Sequence, residues 1–139
     1  MKKIAVLFLI AAAAAFAACA YAADGKRLGA LSPEEALTYM EKTENLLIVD
    51  VAAKRWYDEK HFEGAVNIPI EELDDAEEEA LYKSLPSGRP VIMHCRLGMI
   101  VPGAYEKLSA LRPDIPEISY IDGAPLFDEY NARRAGESR

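Results

Sequence analysis

The chain has 139 residues, 51% of them hydrophobic, and its 16 basic and 23 acidic side chains leave a formal net charge of −7. That length admits one compact domain with a real apolar core. The acidity, with no basic stripe anywhere, excludes nucleic acid as a partner, because such a surface repels a phosphate backbone.

The first segment has the layout of an export signal. Met1-Lys2-Lys3 is positively charged, Ile4 to Ala18 is an apolar run, and Ala20-Tyr21-Ala22 supplies small residues before a cleavage point. This predicts a signal peptide over residues 1–22 and a single domain over 23–139, periplasmic or secreted. The apolar run falls short of the roughly 20 residues that span a bilayer. A second processing route stays open: "FAAC" at Phe16 to Cys19 imitates a lipoprotein box, and a membrane enters as a partner only if Cys19 is lipidated. On either route Cys19 is lost as a disulfide partner, so Cys95 is the one cysteine of the mature domain. An unpaired cysteine in an oxidising compartment is a candidate reactive thiol. Loss of Lys2 and Lys3 also makes the mature chain more acidic, to a net of about −9.

Downstream, the residues before Leu31 are read as a flexible start. "LSPEEALTYMEK" then predicts a helix, with Ser32 as N-cap, Pro33 at its first position, acidic residues in its first turn and Ala36, Leu37 and Met40 on one face. "NLLIVDV", Asn45 to Val51, is an apolar run of strand length that suits a buried parallel strand and brings Asp50 to its carboxyl end. "KRWYDEKHFEG" predicts a short helix and loop, "AVNIPI" a short strand, and "EELDDAEEEALYKSL" a helix closed by the "PSG" turn. The acidic run within it, Glu71 to Ala80, reads as a solvated helix face; the alternating small ligands and glycine of a calcium loop are absent. "RPVIMHC", "PGAYEKLSAL", "PEISYIDG" and "APLFDEYNARR" complete the alternation as strand, helix, strand and helix. The class is therefore α/β, a central parallel sheet of about five strands with helices on both faces.

In such sheets, ligands gather beyond the carboxyl ends of the strands, which is where Asp50 and Cys95 fall. "PVIMHCRLGMIVPGAYEKL" aims Cys95 at the start of a helix, where backbone N–H groups favour an anion. His94 is adjacent, but neighbouring side chains of a strand point to opposite faces, so it is assigned a structural role. Two histidines and one cysteine at these spacings fit no compact metal site, and neither a metal nor another cofactor is expected.

Three segments resemble the rhodanese-like family, and among its members the small exported single-domain sulfurtransferases. "LLIVDVAAKRWYDEKHFEGAVNIP" matches it with Asp50, Tyr57, His61, Gly64, Ala65, Asn67, Ile68 and Pro69; "PVIMHCRLG" matches with Cys95, Arg96 and Gly98; "ISYIDGAPLFDEY" matches with Gly123, with Ala124 in place of a second glycine and Phe127 near the space of a missing tryptophan. The resemblance implies that Cys95 is the nucleophile and that Arg96, Leu97, Gly98, Met99 and Ile100 shape the substrate-binding loop, with Asp50 and His61 as support. It also exposes departures. Many members carry an arginine where this chain has Ala52, and an arginine followed by Ser or Thr where it has Ile100 and Val101. Arg96 is then the one cation the loop offers to a dianion such as thiosulfate, and Val101 lacks the hydroxyl that would cap the next helix.

The activity implied by the resemblance is sulfane-sulfur transfer through a Cys95 persulfide, from thiosulfate or a persulfide or polysulfide donor to a thiol or another thiophilic acceptor. The alternative is a rhodanese-like binding module with little or no catalysis. A phosphatase of the same fold is set aside because its loop needs a later arginine to clasp phosphate, and Ile100, Val101 and Pro102 cannot do so.

Overall fold

The computed structural model describes residues 25–138. Strands β1 (Lys26–Leu31), β2 (Leu47–Asp50), β3 (Val66–Asn67), β4 (Val91–His94) and β5 (Glu117–Ile121) form one sheet in the order β1-β5-β4-β2-β3, every neighbouring pair parallel. Helices α1 (Pro33–Lys42), α2 (Lys54–Glu59), α3 (Asp75–Ser84), α4 (Val101–Leu111) and α5 (Phe127–Glu137) alternate with them, with a 3-10 turn at Ile70–Glu72. The expected α/β class with about five parallel strands is the observed one.

The period-two geometry of the central strands divides the core in two. Leu47, Val49 and Val51, with Val91, Met93 and Cys95, face Tyr82 of α3 and Ala104 and Leu108 of α4. Ile48 and Ile92 face Ala36, Leu37 and Met40 of α1 and Phe127 and Tyr130 of α5. All eight residues of β2 and β4 are buried. That accounts for runs that are apolar on both faces instead of alternating with polar residues.

Helix α1 begins as its sequence requires. Ser32 Oγ accepts the Glu35 N–H at 3.1 Å and the Glu35 carboxylate accepts the Ser32 N–H at 2.9 Å, a reciprocal capping box that extends the N-cap expected from sequence. Two other elements differ from expectation. The supposed flexible start is strand β1, paired with β5 at the sheet edge. Two cations and a glycine in "KRLGAL" hide it, and its register breaks between Arg27 and Gly29, where Gly29 adopts φ +74°. The strand exists because β5 offers it an edge, a tertiary cause that local propensity does not carry.

The acidic segment is also not one helix. After the 3-10 turn the chain breaks at Leu73, and Asp74 caps α3 in a second box with Glu77, their side chains accepting each other's N–H at 2.8 and 3.0 Å. Its face is only partly solvated: Glu78 is buried and accepts Lys107 Nζ at 2.7 Å, and Asp75 accepts the same ammonium at 3.3 Å. Part of the acidity thus docks α3 onto α4.

Candidate active site

The ends of β2 and β4 are fastened together before the chain leaves them. Val51 N–H donates to the His94 carbonyl at 2.9 Å, and Asn67 Nδ2 donates to the carbonyls of Asp50 and Ala52, both at 2.9 Å. Backbone groups freed by the end of the ladder are thereby satisfied, and the strand ends become a fixed platform for the loop at 96–100.

Cys95 emerges from that platform on the α3–α4 side. Its residue is only 3% exposed, yet it lines an open hollow of about 130 Å³, room for roughly four waters. The other lining residues are Ala52, Trp56, Glu71, Arg96, Leu97, Met99 and Ile100. The loop folds back so that the Gly98 N–H donates to Cys95 Sγ at 3.2 Å. The N–H groups of Leu97, Met99 and Ile100 have no backbone acceptor among the described residues. One amide is therefore at bonding distance from the sulfur, where the sequence suggested several curled around it.

Gly98 is required twice over. Its φ of +80° lies in the left-handed region, and a Cβ there would stand 2.5 Å from the backbone nitrogen of Gly123. The glycine of the active loop and the glycine after β5, which looked like two separate family marks, are in fact one contact.

The helix after the loop starts at Val101, with Ile100 in the capping position and no side-chain cap. The expectation that Val101 is the residue lacking a capping hydroxyl is therefore corrected. The missing hydroxyl belongs at Ile100, while Val101 is fully buried in the core between β4 and α4. An oxygen at Val101 would sit among apolar neighbours without a partner.

Arg96 also departs from expectation. Its guanidinium does not stand free to meet a substrate dianion: Nη1 donates to Asp50 Oδ2 at 3.0 Å, Nη2 donates to the Lys60 carbonyl at 2.7 Å, and the group lies 4.8 Å from the centre of the Phe127 ring. Arg96 is a strut between the loop, β2 and the end of α2. Asp50 is its anchor, wholly buried, with the other carboxylate oxygen accepting the Ala52 N–H at 3.0 Å. Phe127 thus has a use that sequence comparison framed only as filled space.

His61 supports this strut at one remove. Its ring stacks on Tyr57 with centroids 3.9 Å apart, its Nδ1 bonds the Tyr57 carbonyl at 2.7 Å, and its own carbonyl accepts Asn131 Nδ2 of α5 at 2.9 Å. Those contacts fix the last turn of α2, and with it the Lys60 carbonyl that Arg96 uses. Leu97 and Met99 point outward, and Ile100 packs partly against the core. Trp56 and Glu71 of the hollow were not singled out from sequence; a lone tryptophan on a short helix with no buried residue was the available signal.

His94 lies on the opposite face from the Cys95 side chain, enclosed by Phe62 and Phe127, whose ring centroids are 4.9 and 5.5 Å away. A carbonyl can only accept, so Nδ1 donates to the Cys95 oxygen at 3.0 Å, and Nε2 is left buried without a partner. Burial pushes the imidazole below its ordinary value, outweighing the pull of Asp50 in the other direction. The unfolded chain therefore binds a proton here, near pH 6.5, that the folded chain refuses. Stability is whole above that pH and falls as the pH drops below it. Chemical unfolding should show stability falling as the pH drops below about 6.5, with a slope of up to about 1.4 kcal/mol per pH unit, and His94→Asn, which keeps a donor near Nδ1, should remove that contribution. A wild-type slope that survives this substitution contradicts the assignment.

These features define a class: an α/β domain with a single cysteine at the carboxyl end of a central parallel strand, cradled by a glycine loop at the start of a helix. The family model for the rhodanese-like domain matches residues 32–124, and the chain belongs to that family. Solved structures superpose on the chain at low identity. Protein SSP1007 from Staphylococcus saprophyticus superposes with a TM-score of 0.55 at 14% identity, covering 74% of this chain and 93% of that one. An uncharacterized Saccharomyces cerevisiae protein gives 0.52 at 20% identity, covering 80% and 96%. The S. cerevisiae single-domain sulfurtransferase RDL2 gives 0.46 at 19% identity, covering 81% and 94%. No curated protein matches the chain significantly.

Proposed function

We propose that this protein is an exported sulfurtransferase that carries sulfane sulfur as a persulfide on Cys95. The observation that carries the reading is the sulfur itself, set in an open hollow beyond β4 and receiving the Gly98 N–H at 3.2 Å. A bond of that kind stabilises negative charge on the sulfur, both before reaction and on the persulfide afterwards.

The reaction runs in two halves. The Cys95 thiolate attacks the outer sulfur of a donor such as thiosulfate, the donor's S–S bond breaks, and sulfite departs with the bonding electrons. A thiophilic acceptor, cyanide or a thiolate, then takes the outer sulfur and returns Cys95 to the thiolate, so the kinetics are ping-pong. Neither half needs a general base once the thiol is ionised, which agrees with His94 lying on the far face of the sheet. Export rests on the charged start, apolar run and "AYA" site of residues 1–22, which, with Cys19, lie outside the described residues.

Intact-mass measurement after incubation with thiosulfate or with inorganic polysulfide tests the chemistry. The expected result is a gain of one sulfur atom, mapped to the peptide holding Cys95 and removed by cyanide as thiocyanate. If neither donor leaves a sulfur on Cys95, the enzyme reading is lost. The second reading, a binding module, has one observation behind it: the loop's only guanidinium is already committed, and no other cationic side chain lines the hollow among the described residues.

A further inference from the structure

We propose that Met99 is an oxidation site: a peroxide converts its thioether to the sulfoxide, and the sulfoxide slows sulfur loading of Cys95. The modification stands on exposure, whereas its effect rests on the sulfurtransferase reading. The chain has four methionines, of which Met1 lies outside the described residues. Met40 of α1 is 4% exposed and Met93 of β4 is 0% exposed, both within the core, so a dissolved oxidant reaches neither while the fold is closed. Met99 is 80% exposed and also lines the hollow that holds Cys95, itself only 3% exposed. The accessible thioether therefore stands at the entrance, with the thiol behind it. Its neighbour in the chain is Gly98, whose N–H donates to Cys95 Sγ, so a change at this side chain falls on the loop that cradles the sulfur.

In the oxidation, a lone pair on Met99 Sδ attacks one oxygen of hydrogen peroxide, the O–O bond breaks and a sulfur–oxygen bond forms. The thioether gives up two electrons and the peroxide takes them. The second oxygen leaves as water, carrying both protons. A flexible apolar side chain then ends in a strong hydrogen-bond acceptor.

The surroundings offer that oxygen partners. Among the described residues, the N–H groups of Leu97, Met99 and Ile100 have no backbone acceptor, and α4 begins at Val101 with no side chain capping it. Met99 directly precedes the capping position at Ile100. Its sulfoxide oxygen would lie as many bonds from the backbone as the side-chain oxygen of glutamine, a residue that satisfies amides at helix starts. An anionic sulfur donor entering the hollow draws on the same amides, because the Arg96 guanidinium is bound to Asp50 and Lys60. The sulfoxide competes with the donor for them, and loading slows. The slowing is partial, since Arg55, its guanidinium 4.8 Å from the Trp56 ring, attracts anions from α2 and is untouched by the change.

The test holds Cys95 as a mixed disulfide with β-mercaptoethanol, treats the folded protein with hydrogen peroxide, and restores the thiol with dithiothreitol, which leaves a sulfoxide in place. Peptide mass mapping should find one added oxygen on Met99, with Met40 and Met93 oxidised at least about tenfold more slowly because the core must open first. Inorganic polysulfide should then load Cys95 about fivefold more slowly, the scale of one hydrogen bond lost to the donor, and methionine sulfoxide reductase should restore the rate. Met99→Gln should load slowly without any peroxide, and Met99→Leu should load at the same rate before and after treatment. Equal oxidation of the three methionines, an oxidised protein that loads at the unmodified rate, or a Met99→Leu protein that peroxide slows as much as wild type overturns the proposal while sulfur transfer stands. Failure of polysulfide to load the untreated protein overturns the sulfurtransferase reading, and with it the effect on Cys95.

Discussion

Gly98→Ala is expected to lower the stability of the fold by about 2–4 kcal/mol, a fall in Tm of roughly 8–15 °C, and to slow sulfur loading of Cys95 by at least about tenfold. Two independent costs add. A side chain at φ +80° is strained wherever it sits, and here the added Cβ also meets the Gly123 backbone at 2.5 Å, an atom that cannot swing aside as a side-chain end could. Relief requires the loop to lift away from the turn after β5. That movement carries off the Gly98 N–H, the one amide bonded to Cys95 Sγ. Gly103→Ala is the matching control: the site is an exposed position in α4 with open space around it, where alanine should stabilise by up to about 1 kcal/mol. Thermal unfolding and loading kinetics of the two variants separate strain at one glycine from a general effect of alanine. A Gly98→Ala protein with wild-type Tm and loading rate would show that the loop does not depend on this contact.

The central strands and their helices were legible because their causes are local. "NLLIVDV" and "RPVIMHC" are apolar enough to be buried on both faces, and Ser32-Pro33 marks a helix start in side-chain chemistry alone. Strand β1 was not legible, since its pairing with β5 supplies what its own composition lacks. At the site, sequence order placed Asp50 and Cys95 at the carboxyl ends of strands and put the His94 side chain on the other face. What it could not place was anything reached through space: Trp56 and Glu71 in the hollow, the Lys60 carbonyl on Arg96, or the contact between Gly98 and Gly123. Arg96 shows the limit most sharply. Its position next to Cys95 suggests a substrate ligand, and only the geometry shows the guanidinium turned to Asp50 and Lys60.

That strut makes the second large prediction. Asp50→Ala should cost about 3 kcal/mol, because it removes a wholly buried carboxylate from two donors at once, the Ala52 N–H and Arg96 Nη1. The figure is set at the low end for a broken buried pair because the Arg96 side chain is 22% exposed, so the freed guanidinium can recover some hydration. Asp50→Asn keeps an acceptor for the Ala52 N–H but loses the charge, and should cost about half as much. A double-mutant cycle with Arg96→Met should return a coupling of at least about 1 kcal/mol, measured by urea unfolding. Loading of Cys95 should slow in step with the stability loss, since Arg96 begins the loop whose fold brings Gly98 to the sulfur. If the cycle shows additive effects, Asp50 and Arg96 act separately, and the loop owes its shape to the Gly98–Gly123 contact alone.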